Sequence, residues 1–251
     1  MHKNLTQWED FKRAWDGSVN FLMSGECIPF NFDFPPIDKI VSEMRYDEFS
    51  RICIGSKGEK LDIEDISNAF QRLNIEEALS SSFCLAHFEL SSFDKPGGFL
   101  EGFHESVVSI WTEALLSQGF TFDRCYPIVF ISGPNCSTNY HMDFSHVLAW
   151  QIYGTKKFSG LKDVDQWVSK ESRVTYDKEH FIRPKTLNEN DALTYEMKPN
   201  SFLWNTFLTP HWVEASDKAA MSINLSHGGL RLNGKLCPFE DEYKNYCAKK
   251  E

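Results

Sequence analysis

The chain has 251 residues, 41 % of them hydrophobic, 25 % charged and 14 % aromatic, and a formal net charge of −10. This is ordinary globular composition at a length that supports one sizeable core, and the acidic balance argues against a broad nucleic-acid footprint, which needs clustered Lys and Arg. Seven scattered cysteines without a CxxC pair point to reduced thiols, not a disulfide or zinc framework, and no apolar run suits a signal peptide or a membrane span, so a cytoplasmic protein is expected.

In chain order, Leu5 to Trp15 has helical apolar spacing, with Trp8, Phe11 and Trp15 recurring before the stop at Asp16-Gly17. Phe30 to Pro36 reads as extended, Ile37 to Met44 as a short helix and Ser50 to Gly55 as a strand. Ile63 to Ser80 reads as a helix with Ile66, Phe70 and Leu73 on one face, and Phe83 to Leu90 alternates like a strand. Gly98 to Gln118 is the clearest helix: Phe99, Phe103, Val107, Ile110 and Leu115 form a broad apolar stripe, and Gly119 ends it.

After Gly119 the pattern changes to short β-type runs: Cys125 to Ser132, Asn139 to Asp143, Val147 to Tyr153, Lys156 to Leu161, Ala192 to Met197, Ser201 to Asn205, His211 to Glu214 and Met221 to His227. Turn residues such as Gly133-Pro134 and Gly154-Thr155 separate them, which argues for an antiparallel sandwich or barrel. The polar connection from Lys162 to Asp191 is long for a compact domain, and such loops are usually functional; it is expected to form part of a lid. A last short helix is expected at Glu240 to Lys249.

His141-Met142-Asp143 falls in one of these runs, and alternate residues of a strand share a face, so an imidazole and a carboxylate stand side by side. His211, at the start of a later strand, is the candidate third ligand. Two histidines and one carboxylate leave open positions on the metal, the facial triad of non-haem Fe(II) oxygenases. His87 and Glu89 repeat the spacing but lack a third partner, and read as sheet residues; His227, beside Gly228-Gly229, competes with His211.

Thr138 to Asp143 runs on into Leu148-Ala149-Trp150-Gln151-Ile152-Tyr153-Gly154-Thr155-Lys156. This stretch resembles the JmjC-like, cupin-type Fe(II)- and 2-oxoglutarate-dependent oxygenases, in particular their asparaginyl-hydroxylase branch, in which a lysine follows the first histidine by fifteen residues. Thr194 to Trp204 followed by His211-Trp212-Val213-Glu214 resembles a second motif of that family. Two departures stand out: Lys198-Pro199-Asn200 replaces the usual Pro-Gly-Asp turn, and Leu208-Thr209-Pro210 precedes His211 where a tryptophan is typical.

The resemblance implies a mainly β fold with flanking helices, a double-stranded β-helix of cupin or jelly-roll type, in a single domain. Residues 1–120 would form a mostly helical flank, 121–230 the core and 231–251 a short tail. It implies Fe(II) on His141, Asp143 and His211, with 2-oxoglutarate and O2 as co-substrates and Lys156 and Thr138 holding the far carboxylate. Asn224, a polar residue in an apolar strand, belongs near the co-substrate by the same analogy. For substrate contacts the candidates are His146, Trp150, Trp204 and Arg231, each with a bland alternative in the core or at the surface.

The expected reaction is hydroxylation of a C–H bond with release of succinate and CO2. A small molecule such as an amino acid or peptide-like metabolite is the first expectation, because after His227 only a short tail follows where protein hydroxylases of the family often carry a dimerisation module. Alternatives are a protein hydroxylase acting on Asn, Asp, Lys or His side chains, a non-catalytic β-helix binding module, and a metal-dependent cupin isomerase, which would not need Lys156. No nucleic-acid or membrane partner is expected, and the sequence leaves the oligomeric state open.

Overall fold

Two faces of the same strands do different work in this chain. A computed structural model describes residues 3–54, 63–178 and 180–250. Its strands are β1 (Asn4–Leu5), β2 (Phe21–Met23), β3 (Ser50–Ile54), β4 (Phe83–His87), β5 (Phe120–Thr121), β6 (Arg124–Ser132), β7 (His146–Tyr153), β8 (Lys156–Leu161), β9 (Ala192–Met197), β10 (Phe202–Asn205), β11 (His211–Ala215), β12 (Ala220–Gly228), β13 (Arg231–Leu232) and β14 (Lys235–Leu236).

The major sheet runs β1-β2-β10-β7-β12-β6-β4-β3, and a minor sheet runs β11-β8-β9. The chain from Ser137 to His141 extends the minor sheet through isolated bridges, Ser137 to Glu214 and His141 to His211. Four segments of the major sheet (β6, β12, β7, β10) thus face four of the minor one, with the chain alternating between them: a double-stranded β-helix.

β7 and β12 are buried almost throughout, because one face lines the barrel and the other lies under helices. β9 instead alternates, with Thr194 and Glu196 exposed on its outer face. The helices are α1 (Trp8–Ala14), α2 (Ile37–Met44), α3 (Ile63–Arg72), α4 (Ile75–Ser80), α5 (Ile110–Ser117), α6 (Val164–Trp167), α7 (Lys170–Val174) and α8 (Pro238–Ala248). None is long and apolar enough to cross a membrane.

The aromatic richness of the sequence goes into the layer between the helices and the major sheet. Phe11 of α1 meets Trp204 edge-on at 4.9 Å, and Trp8 stacks on Trp111 of α5 at 5.8 Å. Such pairs add to the burial of wide apolar rings, and the layer is continuous with Leu148, Trp150, Ile223 and Leu225 from the sheet.

Local chemistry explains where elements end differently from the sequence expectation. The helix expected over Ile63 to Ser80 divides at Asn74, whose side chain accepts from Glu77 N while the Glu77 carboxylate accepts from Asn74 N. That reciprocal cap starts a new helix more favourably than it continues the old one. The helix expected from Gly98 begins only at His104, with a π-helical stretch over His104–Ser109 before α5. Asp94 accepts from the N–H groups of Gly102 and His104, and Gly102 sits at φ +79°, so the preceding residues form tight turns. At the other end Gly119 takes φ +86°, as a helix-stopping glycine does. Asn200 likewise takes φ 65° in the turn between β9 and β10, a left-handed conformation that asparagine tolerates. Gly55 of the expected third strand lies outside the described residues.

Candidate metal centre

His141 and His211 face each other across the bridge between the Ser137–His141 segment and β11, and their rings lie 4.2 Å apart. Asp143, two residues beyond His141, returns to the same face. Its carboxylate oxygens stand 3.7 Å from His141 Nε2 and 3.4 Å from His211 Nε2. One ligand atom from each of the three lies within 4.8 Å of the others.

Both rings are oriented from behind. His141 Nδ1 is 2.7 Å from Asn139 O and His211 Nδ1 is 2.9 Å from Thr209 O. A carbonyl only accepts, so each Nδ1 carries the proton and each Nε2 keeps its lone pair for a metal. Burial, and then the nearby His141, push the His211 pKa down to about 4, which keeps it neutral and able to ligate. Phe158 stacks on the His211 ring at 5.0 Å and 6°, closing its inner side against water. Asn205 Nδ2 approaches Asp143 Oδ2 at 3.5 Å. The donor set, two imidazoles with Nε2 turned inward and one carboxylate, with one side open, fits Fe(II).

Deeper in the barrel, Lys156 is buried and donates to Phe130 O at 3.1 Å and Ser222 Oγ at 3.2 Å. No carboxylate pairs with it among the described residues. Burial pushes its pKa down to about 8. A buried ammonium held only by neutral acceptors is costly, and it fits a site shaped for an anion that the protein itself does not supply. Along β8 and β11, Lys156 pairs with Ala215 and Gly160 with His211, so the two backbone positions lie four ladder steps, about 13 Å, apart on the same face, and the long lysine side chain starts from the deeper one. Asn224, two residues from Ser222 on the same face of β12, has a buried Oδ1 without a protein partner. Thr138 stands apart from Lys156. It is exposed, its hydroxyl accepts from Val213 N at 2.9 Å, and it lines the outer cleft.

The four residues expected at the substrate are placed elsewhere, and the reason is strand parity. His146 and Trp150 lie on the outer face of β7, under the helices. His146 packs against Trp15 and Trp204, and Trp150 stacks on Phe202. Trp204 is fully buried, with Nε1 donating to Trp15 O. Arg231 is paired with Asp123 at 2.7 Å in the small β14-β13-β5 sheet. The competing histidines are also accounted for: His87 binds Asp47 at 2.9 Å, and His227 Nε2 accepts from Trp111 Nε1 at 2.7 Å.

The triad opens on a cleft of about 680 Å³ lined by His141, Tyr140, Tyr176, Phe181, Arg183 and Trp212, among others. Several of these come from the long connection: Tyr176 accepts from Met142 N at 3.1 Å, Phe181 stacks on Tyr140 at 4.9 Å, and the Arg183 guanidinium lies over Trp212 at 4.3 Å. Sequence reasoning missed Asn205, Phe158 and Ser222. Each is a single residue in a strand, and only the strand register brings it to the site.

No family model matches the chain, and no curated protein is significantly similar to it in sequence. Solved structures do match. The ribosomal oxygenase YcfD of Escherichia coli aligns at a TM-score of 0.54 with 15 % identity, over 90 % of this chain and 52 % of that one. Its complex with cobalt and 2-oxoglutarate aligns at 0.54 with 14 % identity over 90 % and 53 %. Its complex with cobalt and succinic acid aligns at 0.53 with 14 % identity over 90 % and 52 %. The chain spans about half the length of these oxygenases. It shares their fold, the double-stranded β-helix of the JmjC-type oxygenases, with flanking helices.

Proposed function

We propose that the chain is an Fe(II)- and 2-oxoglutarate-dependent oxygenase that hydroxylates a side chain of a peptide or protein. The observation that carries the first part is the pairing of a triad at the barrel mouth with a buried lysine that has no carboxylate partner on the same ladder. A bare metal-dependent isomerase would have no use for that lysine. The second part departs from the small-molecule expectation. It rests on the fold's likeness to a ribosomal oxygenase and on a wide cleft whose wall includes Ile182, 79 % exposed.

Each residue then has a task. His141 and His211 present Nε2, and Asp143 one carboxylate oxygen, to Fe(II). Lys156, with Ser222 beside it, receives the far carboxylate of 2-oxoglutarate, and Asn224 offers its amide along the barrel wall. Phe158 keeps the inner flank of the metal dry. When bound, the iron and 2-oxoglutarate supply O2 activation coupled to loss of CO2, leaving succinate. Tyr140 and Trp212, with Tyr176, Phe181 and Arg183 from the long connection, hold the target side chain over the mouth, and these last three act as the lid.

Anaerobic titration of Fe(II) and 2-oxoglutarate tests the centre. The weak metal-to-ligand charge-transfer band is expected in the unmodified chain and in Glu89→Ala, and not in Asp143→Ala. A chain that never develops the band overturns the proposal.

A further inference from the structure

Three of the seven cysteines form a file from solvent to the buried lysine. Cys53 is exposed on β3 and pairs in register with Cys84 on β4, which in turn faces Ser132 on β6. Phe83, Leu85 and His87 point into the aromatic layer, so Cys84 occupies the other face, half-buried at the closed end of the barrel. There it meets Cys136, which is buried with its Sγ 3.1 Å from Ser82 Oγ. Ser82 precedes Cys84 by two residues and so shares its face, and the contact of Cys136 with Ser82 therefore brings the two thiols side by side, both within electrostatic reach of the Lys156 ammonium.

We infer that Cys84 and Cys136 form an oxidisable dithiol, a site at which a peroxide converts two thiols into a disulfide at the floor of the barrel. The roles differ between the two sulfurs. Hydrogen bonding from Cys84 above all, then from Ser82 and the Gly133 N–H, together with the charge of Lys156, lowers the Cys136 pKa to about 6, whereas Cys84 is pushed up by its bond to Cys136 and by burial. The thiolate is the nucleophile in such chemistry, so Cys136 attacks and Cys84 resolves.

The balance is closed. Cys136 S⁻ takes one peroxide oxygen as the O–O bond breaks, giving a sulfenic acid and hydroxide, which leaves as water after protonation. The Cys84 sulfur then displaces the sulfenic oxygen as a second water and forms the S–S bond. Two thiols are oxidised by two electrons in all, and one peroxide is reduced to two waters.

The position beneath Lys156 adds a linkage that rests on the function proposed above. A dicarboxylate on the ammonium neutralises a charge that favours the Cys136 thiolate and brings a negative charge close to it. Oxidation should therefore slow when the anion is bound.

The experiment treats the reduced 251-residue chain with hydrogen peroxide, blocks residual thiols with N-ethylmaleimide and maps the peptides by mass spectrometry without reduction. A Cys84–Cys136 linked peptide is expected, lost on adding dithiothreitol, absent from Cys84→Ser and Cys136→Ser, and retained in Cys53→Ser. Circular dichroism of each variant separates loss of the link from loss of the fold. A Cys53–Cys84 link in its place, or peroxide-treated chain in which both Cys84 and Cys136 still take up the maleimide, overturns the proposal. Repeating the oxidation without metal, with 2-oxoglutarate at saturating concentration, should slow it several-fold. If the link forms at an unchanged rate, the dithiol stands and the reading of Lys156 as the co-substrate anchor fails.

Discussion

Lys156 makes opposite demands on stability and on binding, and its pKa turns that conflict into two measurements. Its folded pKa, about 8, lies below the ordinary 10.5, so between those values the unfolded chain holds a proton that the native one has released. Stability of the ligand-free protein should therefore rise as pH climbs from 8 towards 10.5. Below pH 8 the buried charge costs on the order of 3 kcal/mol. Binding runs the other way, because a carboxylate needs the ammonium: 2-oxoglutarate affinity should fall as pH rises through about 8. Lys156→Met should raise the melting temperature at pH 7 while weakening 2-oxoglutarate binding roughly 10- to 100-fold, the worth of a charge-assisted contact. A variant with unchanged affinity would remove Lys156 from the co-substrate site. That His141 and Asp143 share a face was expected because HxD on a strand puts two side chains side by side, and Lys156 was singled out by the resemblance to the JmjC-like oxygenases. His146, Trp150 and Trp204 were not correctly placed, since in β7 even-numbered residues face the helices and odd-numbered ones the barrel, and only the register tells which is which.

Between the helices and the major sheet lies a buried polar cluster that fixes how these elements meet. Trp111 donates to His227, His227 Nδ1 lies 3.1 Å from the His146 carbonyl, and Glu240 of α8 accepts from Gly229 N at 2.7 Å. His146 Nε2 comes within 3.9 Å of Glu240, yet burial pushes the His146 pKa down to about 3 and that of His227 to about 4, so no charged pair forms there. Both values lie below the ordinary 6.5. Their contribution to stability is therefore complete above pH 6.5 and is lost as pH falls, each unit removing on the order of 1 kcal/mol per histidine. Urea midpoints measured from pH 7.5 to pH 5 should drop accordingly, and His227→Gln should flatten the slope while lowering the midpoint at pH 7.5. A pH-independent midpoint would mean that the two rings charge freely. The lid makes a second prediction at this scale. Leu161, Val164, Val168 and Trp212 form a small cluster of their own that anchors the connection, leaving Tyr176, Phe181, Ile182 and Arg183 as its edge on the cleft. Trypsin cleavage after Lys178 and Lys185 should slow when metal, 2-oxoglutarate and substrate are all present. Equal cleavage would count against a lid. The strands after Gly119 were legible because short runs rich in β-branched and aromatic residues are cut by turn residues. The N-terminal helices were blurred where a side chain outside the apolar pattern, Asn74 or Asp94, decided the boundary.

At the scale of the whole molecule, the barrel encloses the proposed metal and co-substrate positions, whereas the proposed target side is open. A small metabolite would need walls on most of its surface to be held in register, as compact ligand sites do. Here the mouth is bordered by flat aromatic faces, Tyr140, Phe181 and Trp212, and by Lys178 and Arg183, with Ile182 left in solvent. Such a border suits a chain laid across it with one side chain directed at the triad, its apolar contacts made with the rings and its polar ones with the two cations. The rim carries Lys178 and Arg183 against a single carboxylate, Glu214, so its balance is the reverse of the protein's −10 overall, and a target segment carrying at least one carboxylate near the oxidised residue is the best match. The prediction is that, with Fe(II), 2-oxoglutarate and O2, succinate release above the uncoupled background is stimulated by the protein fraction of a cell extract, and that one protein gains a single oxygen. Arg183→Glu should lower that stimulation chiefly through a higher KM, with the charge-transfer band of the loaded centre unchanged. Stimulation by the metabolite fraction alone would return the chain to small-molecule chemistry, with the same triad and the same lysine.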